Sequence, residues 1–169
     1  MNVQSSAIPN PVVAMRLSDI ITKDRILVDR EGALPAKAQA LHALARLLGS
    51  AVAAPEEEVL GLLLEREQLQ STGIGDGVAI PHSALEHADT QAGALLLFPK
   101  GIDFDAIDGQ PVHIVFGVVG PKRATGEHLR TLARISRLLR DEGTRKQLAN
   151  VDSPETAFQL IESHDATAK

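Results

Sequence analysis

The sequence predicts an α/β domain whose central sheet is mixed, with parallel and antiparallel strands, and is flanked by helices on both faces. Two apolar runs, residues 94–98 and 112–119, are rich in branched side chains and are typical of strands buried on both faces. Asp108-Gly109, between these runs, is a turn signal that permits them to pair antiparallel. Helical segments alternate with the strands along the chain, which is the order found in layered α/β domains.

One strand and two helices are predicted before residue 70. Residues 25–28 form the strand, and residues 36–52 form a helix because leucines recur there at helical spacing. Pro55 and the three glutamates after it predict the start of a second helix, which runs to about residue 68, because proline fits the first turn and the acids oppose the helix dipole. The residues expected to be buried on this helix are Val59, Leu60, Leu63 and Leu64.

The rest of the chain continues the alternation. A glycine-rich loop, residues 71–77, leads into a short strand, residues 78–80. Thr125 is predicted to cap a helix over residues 126–140. The side chains expected to be buried on that helix are Leu129, Leu132, Ala133 and Leu139. A short helix is expected after Thr144, and Ser153-Pro154-Glu155 predicts the start of a last helix that buries Phe158 and Ile161.

The chain of 169 residues is expected to form one domain. Residues 1–14 contain Ser, Asn, Gln and two prolines without periodicity, so we predict a flexible tail there and a single domain over residues 15–169.

Composition excludes several classes of function. No cysteine is present, which excludes disulfides and thiol chemistry. The net charge is -5, and Tyr and Trp are absent, so we expect no nucleic-acid partner. The apolar stretches are too short to cross a bilayer and no secretory signal is evident, so we expect no membrane insertion and a cytoplasmic location. The six histidines are the main candidates for chemistry near neutral pH.

The sequence around His82 indicates a histidine held at a defined place. Pro81 biases Ile80 towards an extended conformation, so we expect the strand to end at Pro81 and His82 to emerge at the edge of the sheet. Ser83 and Glu86 are three residues apart and suggest a capping box for a short helix, whose positive end would point towards an anion near His82.

A histidine that carries phosphate needs one free neutral nitrogen, an acceptor for the other nitrogen, and donors for the phosphoryl oxygens. Arg66, at the end of its helix, is a suitable fork-shaped donor. His128 lies in the first turn of a predicted helix, which favours anions. The residues alone leave open whether these side chains meet His82.

The segment from Arg66 to His82, which contains STGIGDGVAIPH, closely resembles the phosphorylation-site signature of the fructose/mannitol-type IIA proteins of the phosphoenolpyruvate-dependent phosphotransferase system. It is most similar to the nitrogen-regulatory branch. The likeness continues through residues 101–112 and 124–129 and includes residues 15–20, so it covers about residues 15–161. It identifies residues 15–169 as a type 2 IIA domain.

The resemblance implies that His82 receives phosphate on Nε2 and that Arg66 and His128 line the site. We expect the phosphate-binding loop to comprise Ser71, Thr72, Gly73 and Ser83. The implied donor is a small histidine-containing phosphocarrier protein, itself charged from phosphoenolpyruvate by an enzyme I. No cofactor and no metal are expected.

Three functions stay open at this point. The first is a regulatory carrier whose phosphorylation state determines which kinases and transporters it binds. The second is a transport component that passes phosphate to a IIB protein for sugar uptake. The third is a binding module with a degenerate site. The intact His82, Arg66 and His128 argue against the last.

Other site chemistries find less support. Four histidines could be considered as zinc ligands, but their spacing matches no known zinc site. Ser71 and Ser83 could suggest a hydrolase, but neither lies in a nucleophile-elbow motif. The glycine loop lacks the lysine of a nucleotide-binding P-loop. The candidate zinc ligands are His82, His87, His113 and His128. Of the remaining histidines, His42 is expected to flank an apolar helix face and His164 to be solvated, whereas His113 is expected to be a satisfied core residue.

Overall fold

The computed structural model describes residues 15–167, and the predicted tail, residues 1–14, lies outside this range. Within the described residues the strands are β1 (Ile26–Val28), β2 (Gly73–Gly75), β3 (Val78–Ala79), β4 (His82–Leu85), β5 (Ala92–Ile102) and β6 (Val112–Pro121). The helices are α1 (Lys37–Val52), α2 (Glu56–Leu69), α3 (Thr125–Arg140), α4 (Glu142–Ala149) and α5 (Pro154–Thr167).

The strands form one mixed sheet in the order β1-β5-β6-β3-β2, and β4 also pairs with β6. The long strands β5 and β6 are antiparallel, as the Asp108-Gly109 turn signal predicts. By contrast, β1 runs parallel to β5, and both β3 and β4 run parallel to β6. The predicted mixture of parallel and antiparallel strands is therefore confirmed.

Helices cover both faces of the sheet, which confirms the predicted layers. Successive residues of a strand point to opposite faces, and β5 feeds two separate cores in this way. Leu96 packs with α1 and α2 on one face, whereas Leu95 and Leu97 pack with α3, α4 and α5 on the other. None of the helices within residues 15–167 combines the length and apolar character needed to cross a membrane.

The buried face of α3 differs from the predicted one. Leu129 is 59% exposed, and Ala133 is exposed as well. The buried residues are Thr131, Ile135, Leu138 and Leu139. They recur at spacings of three and four, so they form one stripe towards the sheet, and Leu129 and Ala133 lie off that stripe.

Two further details of the helices differ from prediction. Leu64 of α2 is 40% exposed. Thr125 is the first residue of α3 rather than its cap; its hydroxyl donates to the carbonyl oxygen of Lys122 at 3.3 Å, and Ala124 holds the cap position without a side-chain bond. The start of α3 therefore has no side-chain cap, and the Ala124 N–H is bonded to the carbonyl oxygen of Pro121 at 3.0 Å in the turn before it.

The strand before His82, β3, ends at Ala79, just before Pro81 and close to the predicted end, but the predicted short helix after His82 is wrong. His82 begins β4, which pairs in parallel with β6 through His82 opposite Val118 and Ser83 opposite Val119. The Val118 N–H donates to the carbonyl oxygen of Pro81 at 3.0 Å, so backbone bonding to β6 continues across the proline. This pairing holds the backbone extended, and it overrides the local capping signal.

Candidate functional site

His82 stands at the start of an edge strand with its ring orientation fixed by the backbone. Its Nδ1 lies 2.7 Å from the carbonyl oxygen of Ile80. A carbonyl oxygen only accepts hydrogen bonds, so Nδ1 carries the proton and Nε2 keeps its lone pair. The position of Ile80 is itself fixed, because its N–H donates to the carbonyl oxygen of Thr72 at 3.0 Å. The arrangement presents Nε2 as the nitrogen that can attack an electrophile.

His128 lies beside His82. It is in the first turn of α3, which follows directly from the end of β6, the strand that pairs with β4. The two ring centroids are 5.9 Å apart and the ring planes are tilted by 51°. The structure therefore brings together two imidazoles that are 46 positions apart in the printed sequence.

Both rings have their pKa lowered from the ordinary histidine value. For His82 the main cause is burial, which the bond to the Ile80 carbonyl opposes and the charge of Arg66 reinforces. For His128 the main cause is also burial, and the neighbouring His82 adds to it. Both imidazoles are therefore neutral at neutral pH, and a neutral imidazole is the form that can act as a nucleophile.

Arg66 reaches the site from the last turn of α2. Its Nη1 donates to the carbonyl oxygen of Gln70 at 2.8 Å, just beyond the helix end. Arg66 and His82 line the same cleft of about 250 Å³ between the end of α2 and α3. The guanidinium has five donors in a fixed fork, so donors beyond the one bonded to Gln70 can serve an anion in this cleft.

The residues expected to bind phosphate differ in whether they line the cleft. Ser71 and Thr72 line the cleft, but the hydroxyl of Ser71 donates to the carbonyl oxygen of Phe104 at 3.0 Å and accepts from the Gly73 N–H at 3.0 Å. The hydroxyl and N–H of Thr72 are both bonded to the carboxylate of Glu67. These groups fix the shape of the loop in the absence of a ligand.

Ser83 is not brought to the same side as His82. It is the next residue of β4, and successive residues of a strand point to opposite faces. Its side chain therefore points away from the face that His82 uses.

Sequence reasoning missed the residue that anchors the loop. The side chain of Glu67 is only 5% exposed, and its carboxylate lies 2.8 Å from Lys37 Nζ of α1. Glu67 follows Arg66 directly in the motif, so a signal was present, but its partner Lys37 is thirty positions away.

Sequence reasoning also missed an apolar rim around the cleft, which we define as Ile74 and Ile107. Both side chains line the cleft with His82, and they are 48% and 64% exposed. Large exposed apolar side chains at the mouth of a polar site are typical of a surface that contacts another protein.

The other histidines do not join this site. His113 donates through Nδ1 to the Phe98 carbonyl oxygen at 2.9 Å, as expected of a satisfied residue, although its side chain is half-buried. His42 pairs with Glu56 at 3.1 Å, and His164 is half-buried rather than solvated. Within residues 15–167 no group of three His, Cys, Asp or Glu side chains is arranged to hold a metal ion.

Comparison with known proteins agrees with this fold and shows the family of the chain. Residues 19–164 match the family described as "Phosphoenolpyruvate-dependent sugar phosphotransferase system, EIIA 2". A nitrogen regulatory protein of Bradyrhizobium diazoefficiens is 39% identical over 154 residues, covering 91% of this chain and 99% of that protein. The fructose-specific EIIABC component of Bacillus subtilis is 32% identical over 152 residues, which is 89% of this chain but 24% of that longer protein.

A solved structure shows the same architecture. The crystal structure of the nitrogen regulatory protein IIA-Ntr from Neisseria meningitidis superposes with a TM-score of 0.80 at 31% identity, covering 86% of this chain and 98% of the other. The chain therefore belongs to the EIIA 2 family of the phosphoenolpyruvate-dependent phosphotransferase system, in which its nitrogen-regulatory and sugar-specific relatives support a role in phosphoryl transfer.

Proposed function

We propose that this protein carries a phosphoryl group on Nε2 of His82, accepts it from a histidine-containing phosphocarrier protein, and acts in the regulatory branch of the system. Residues 15–169 form the IIA unit in this proposal. The observation that carries it is the bond from Nδ1 of His82 to the Ile80 carbonyl, 2.7 Å long, beside a second imidazole. That bond leaves Nε2 as the nitrogen with a free lone pair, on a side chain that lines the cleft.

The transfer step needs no proton movement at His82. The lone pair of Nε2 attacks phosphorus, and the bond between phosphorus and the donor's histidine nitrogen breaks with its electron pair returning to the donor ring. The His82 ring then carries phosphate on Nε2 and a proton on Nδ1, so it becomes positively charged. The Ile80 carbonyl accepts a stronger hydrogen bond from this charged ring than from the neutral one.

Arg66 and His128 act on the phosphoryl oxygens in this proposal. Phosphoryl transfer depends mainly on positioning and on stabilising the charge spread over the oxygens. Arg66 of α2 lines the cleft together with His82, and the ring of His128 of α3 lies 5.9 Å from the ring of His82, although His128 does not line the cleft itself. Ser71 and Thr72 line the cleft and Gly73 follows them in the loop, so a phosphoryl group would compete for the bonds that their backbone and hydroxyl donors already make.

The surroundings of His82 favour a protein as the donor. The cleft of about 250 Å³ is smaller than ordinary small-molecule pockets of roughly 300–1,000 Å³. The apolar rim offers two exposed isoleucines next to the nucleophile. A flat partner surface that carries its own phosphohistidine can cover these side chains while its phosphate enters the cleft.

The regulatory branch is favoured over sugar transport by the extent of the likeness. The nitrogen regulatory relative is 39% identical over 154 residues, whereas the fructose-specific relative is 32% identical over 152 residues. The regulated targets would be kinases or transporters that distinguish the two states of His82. Transport is the alternative, in which a IIB protein takes the phosphate, and the 32% identity to a fructose-specific component favours it.

The acceptor assignment is tested by phosphorylating the protein with phosphoenolpyruvate, enzyme I and the phosphocarrier protein, and measuring the intact mass. We expect one acid-labile phosphate on the wild type and none on His82→Ala. His87→Ala is the matched control, because His87 is an exposed histidine five residues further on, and it should be labelled like the wild type. Labelling of His82→Ala would remove His82 as the acceptor.

The regulatory role is tested by partner capture. The wild type in each phosphorylation state and His82→Ala, which is fixed in the unphosphorylated state, are immobilised and exposed to lysate. The regulatory proposal predicts soluble targets that prefer one state. Rapid loss of the phosphate to the cysteine of a IIB protein, with no state-selective target, would favour transport instead.

A further inference from the structure

Two buried polar atoms beside the site lack a hydrogen-bond partner. Among the described side chains, these are Oε1 of Gln91 and Nδ1 of His128. Gln91 is 8% exposed, and the proposed role of His128 assigns nothing to its Nδ1. An unpaired buried polar group is costly, so a pair of such atoms in one place calls for a reason.

The two side chains meet at one glycine of β6. A Cβ atom added to Gly120 would stand 2.9 Å from Cγ of Gln91 and 3.5 Å from Nδ1 of His128. The Gln91 side chain and Nδ1 of His128 therefore both border the space that a side chain at Gly120 would occupy.

The orientation of the Gln91 amide follows from its other neighbour. Its Nε2 donates to Sδ of Met15 at 3.4 Å, and a thioether sulfur only accepts hydrogen bonds. The amide nitrogen must therefore face Met15, which leaves the carbonyl oxygen as an acceptor without a donor. The atom that complements it is Nδ1 of His128, provided that this nitrogen carries the proton.

We propose that Gln91 is a positioning residue for His128, whose Nδ1–H donates to the Gln91 carbonyl oxygen, so that Nε2 is the nitrogen that meets the phosphoryl group on His82. A small rotation of the amide, or one bridging water, completes the bond. The inference rests on the proposed function for its role in transfer, although the hydrogen bond itself is independent of that function.

The hydrogen bond between Gln91 and His128 determines which nitrogen of His128 carries a proton, both before and after His82 is phosphorylated. In the unphosphorylated protein the ring is neutral, with its proton on Nδ1 and a lone pair on Nε2. When His82 carries a phosphoryl group, the added negative charge favours uptake of one proton from solvent at Nε2, and this N–H then donates to a phosphoryl oxygen. Gln91 keeps the Nδ1–H bonded in both states, so the charged ring has no unpaired donor. Among the described residues, the titratable group whose charge acts on His128 is His82 of β4.

The test reads the protonated nitrogen of each ring directly. Nitrogen-15 NMR of the unphosphorylated protein, recorded where the histidines are neutral, should show His128 protonated on Nδ1. Gln91→Leu, which keeps the size but lacks the carbonyl, should lose this preference, and Gln91→Glu, which restores an acceptor, should recover it. His82 is the internal control, because the Ile80 carbonyl holds its Nδ1–H in all three proteins.

Phosphoryl transfer to Gln91→Leu should be slower by roughly tenfold, the size expected for one hydrogen bond to a charged group. Gln91→Glu should recover most of the rate. A wild-type His128 protonated on Nε2, or a Gln91→Leu variant with unchanged tautomer and unchanged rate, would overturn the proposal. If His82 is never phosphorylated while the tautomer results hold, the proposed function fails and the role of Gln91 in transfer fails with it, but the Gln91–His128 bond stands.

Discussion

Replacing Glu67 with alanine is expected to destabilise the protein and to loosen the loop beside His82. The carboxylate of Glu67 is buried and lies 2.8 Å from Lys37 Nζ and 3.1 Å from the backbone nitrogen of Thr72, and it also accepts from the Thr72 hydroxyl. Alanine removes the acceptor of all three groups. Thr72 is 2% exposed, so its N–H and hydroxyl would be left buried and unpaired.

The magnitude follows from these burials. Removing one partner of a buried ion pair costs about 3–5 kcal/mol. The side chain of Lys37 is 20% exposed and keeps Asp105 at 3.5 Å, so its charge retains some solvation and a partner. We therefore expect a loss of about 3 kcal/mol in the free energy of unfolding. Glu67→Gln is the matched control, because it keeps the shape and one acceptor, and should lose about 1–2 kcal/mol.

The assay is urea unfolding of the three proteins followed by circular dichroism. A second readout links the loop to the site: the Thr72 carbonyl accepts from Ile80 N–H at 3.0 Å, and the Ile80 carbonyl holds the ring of His82. Nitrogen-15 NMR of Glu67→Ala should therefore show a weakened preference for Nδ1–H at His82. An unfolding free energy for Glu67→Ala within about 0.5 kcal/mol of the wild type would refute the reasoning.

Three further outcomes are expected. Because burial lowers the pKa of His82 from its ordinary value of 6.5, phosphoryl acceptance should persist below pH 6.5 and fall only as the pH drops through the lowered pKa, which a pH series of transfer rates checks. Between the lowered pKa and the ordinary value the unfolded chain binds more protons than the folded one, so the free energy of unfolding should also fall with falling pH. Arg66→Ala and His128→Ala should each slow transfer on the order of 100-fold in quenched-flow measurements while leaving circular dichroism unchanged, and wild-type rates would remove them from the site. Gly120→Ala should lose about 1–3 kcal/mol in urea unfolding, because the new methyl group would stand 2.9 Å from Gln91 Cγ, and an unchanged midpoint would show that the amide moves aside freely.

Much of the fold followed from local sequence signals. The apolar runs of β5 and β6 predicted buried strands because both faces of the sheet are covered, and Pro55 with its glutamates predicted the start of α2. These features are local, since each depends on residues that are neighbours in the chain.

The errors came from residues whose conformation depends on distant partners. Ser83 and Glu86 read as a helix start, but pairing with β6, more than thirty residues away, holds Ser83 in a strand. Leu129 was predicted to be a core residue because it is apolar, but it is exposed, since it does not belong to the stripe of α3 residues that faces the sheet.

The residues of the candidate site also differ in whether the sequence could identify them. The residue pattern predicted His82, Arg66 and His128 as candidates, and the resemblance implied that the three line one site. Neither identified the Ile80 carbonyl that fixes the His82 ring, although it lies only two residues away, because the residue types do not specify the orientation of the ring. Neither could find Gln91, because it comes close to His128 only where β6 and α3 meet in the fold.

The most direct test of phosphoryl transfer to His82 is NMR of the phosphorylated, nitrogen-15-labelled protein, which identifies the atom bonded to phosphorus. The hydrogen bond from Nδ1 to the Ile80 carbonyl predicts phosphorus bonded to Nε2 of His82, with Nδ1 still protonated. Phosphorus bonded to Nδ1 of His82, or to a different residue, would contradict it.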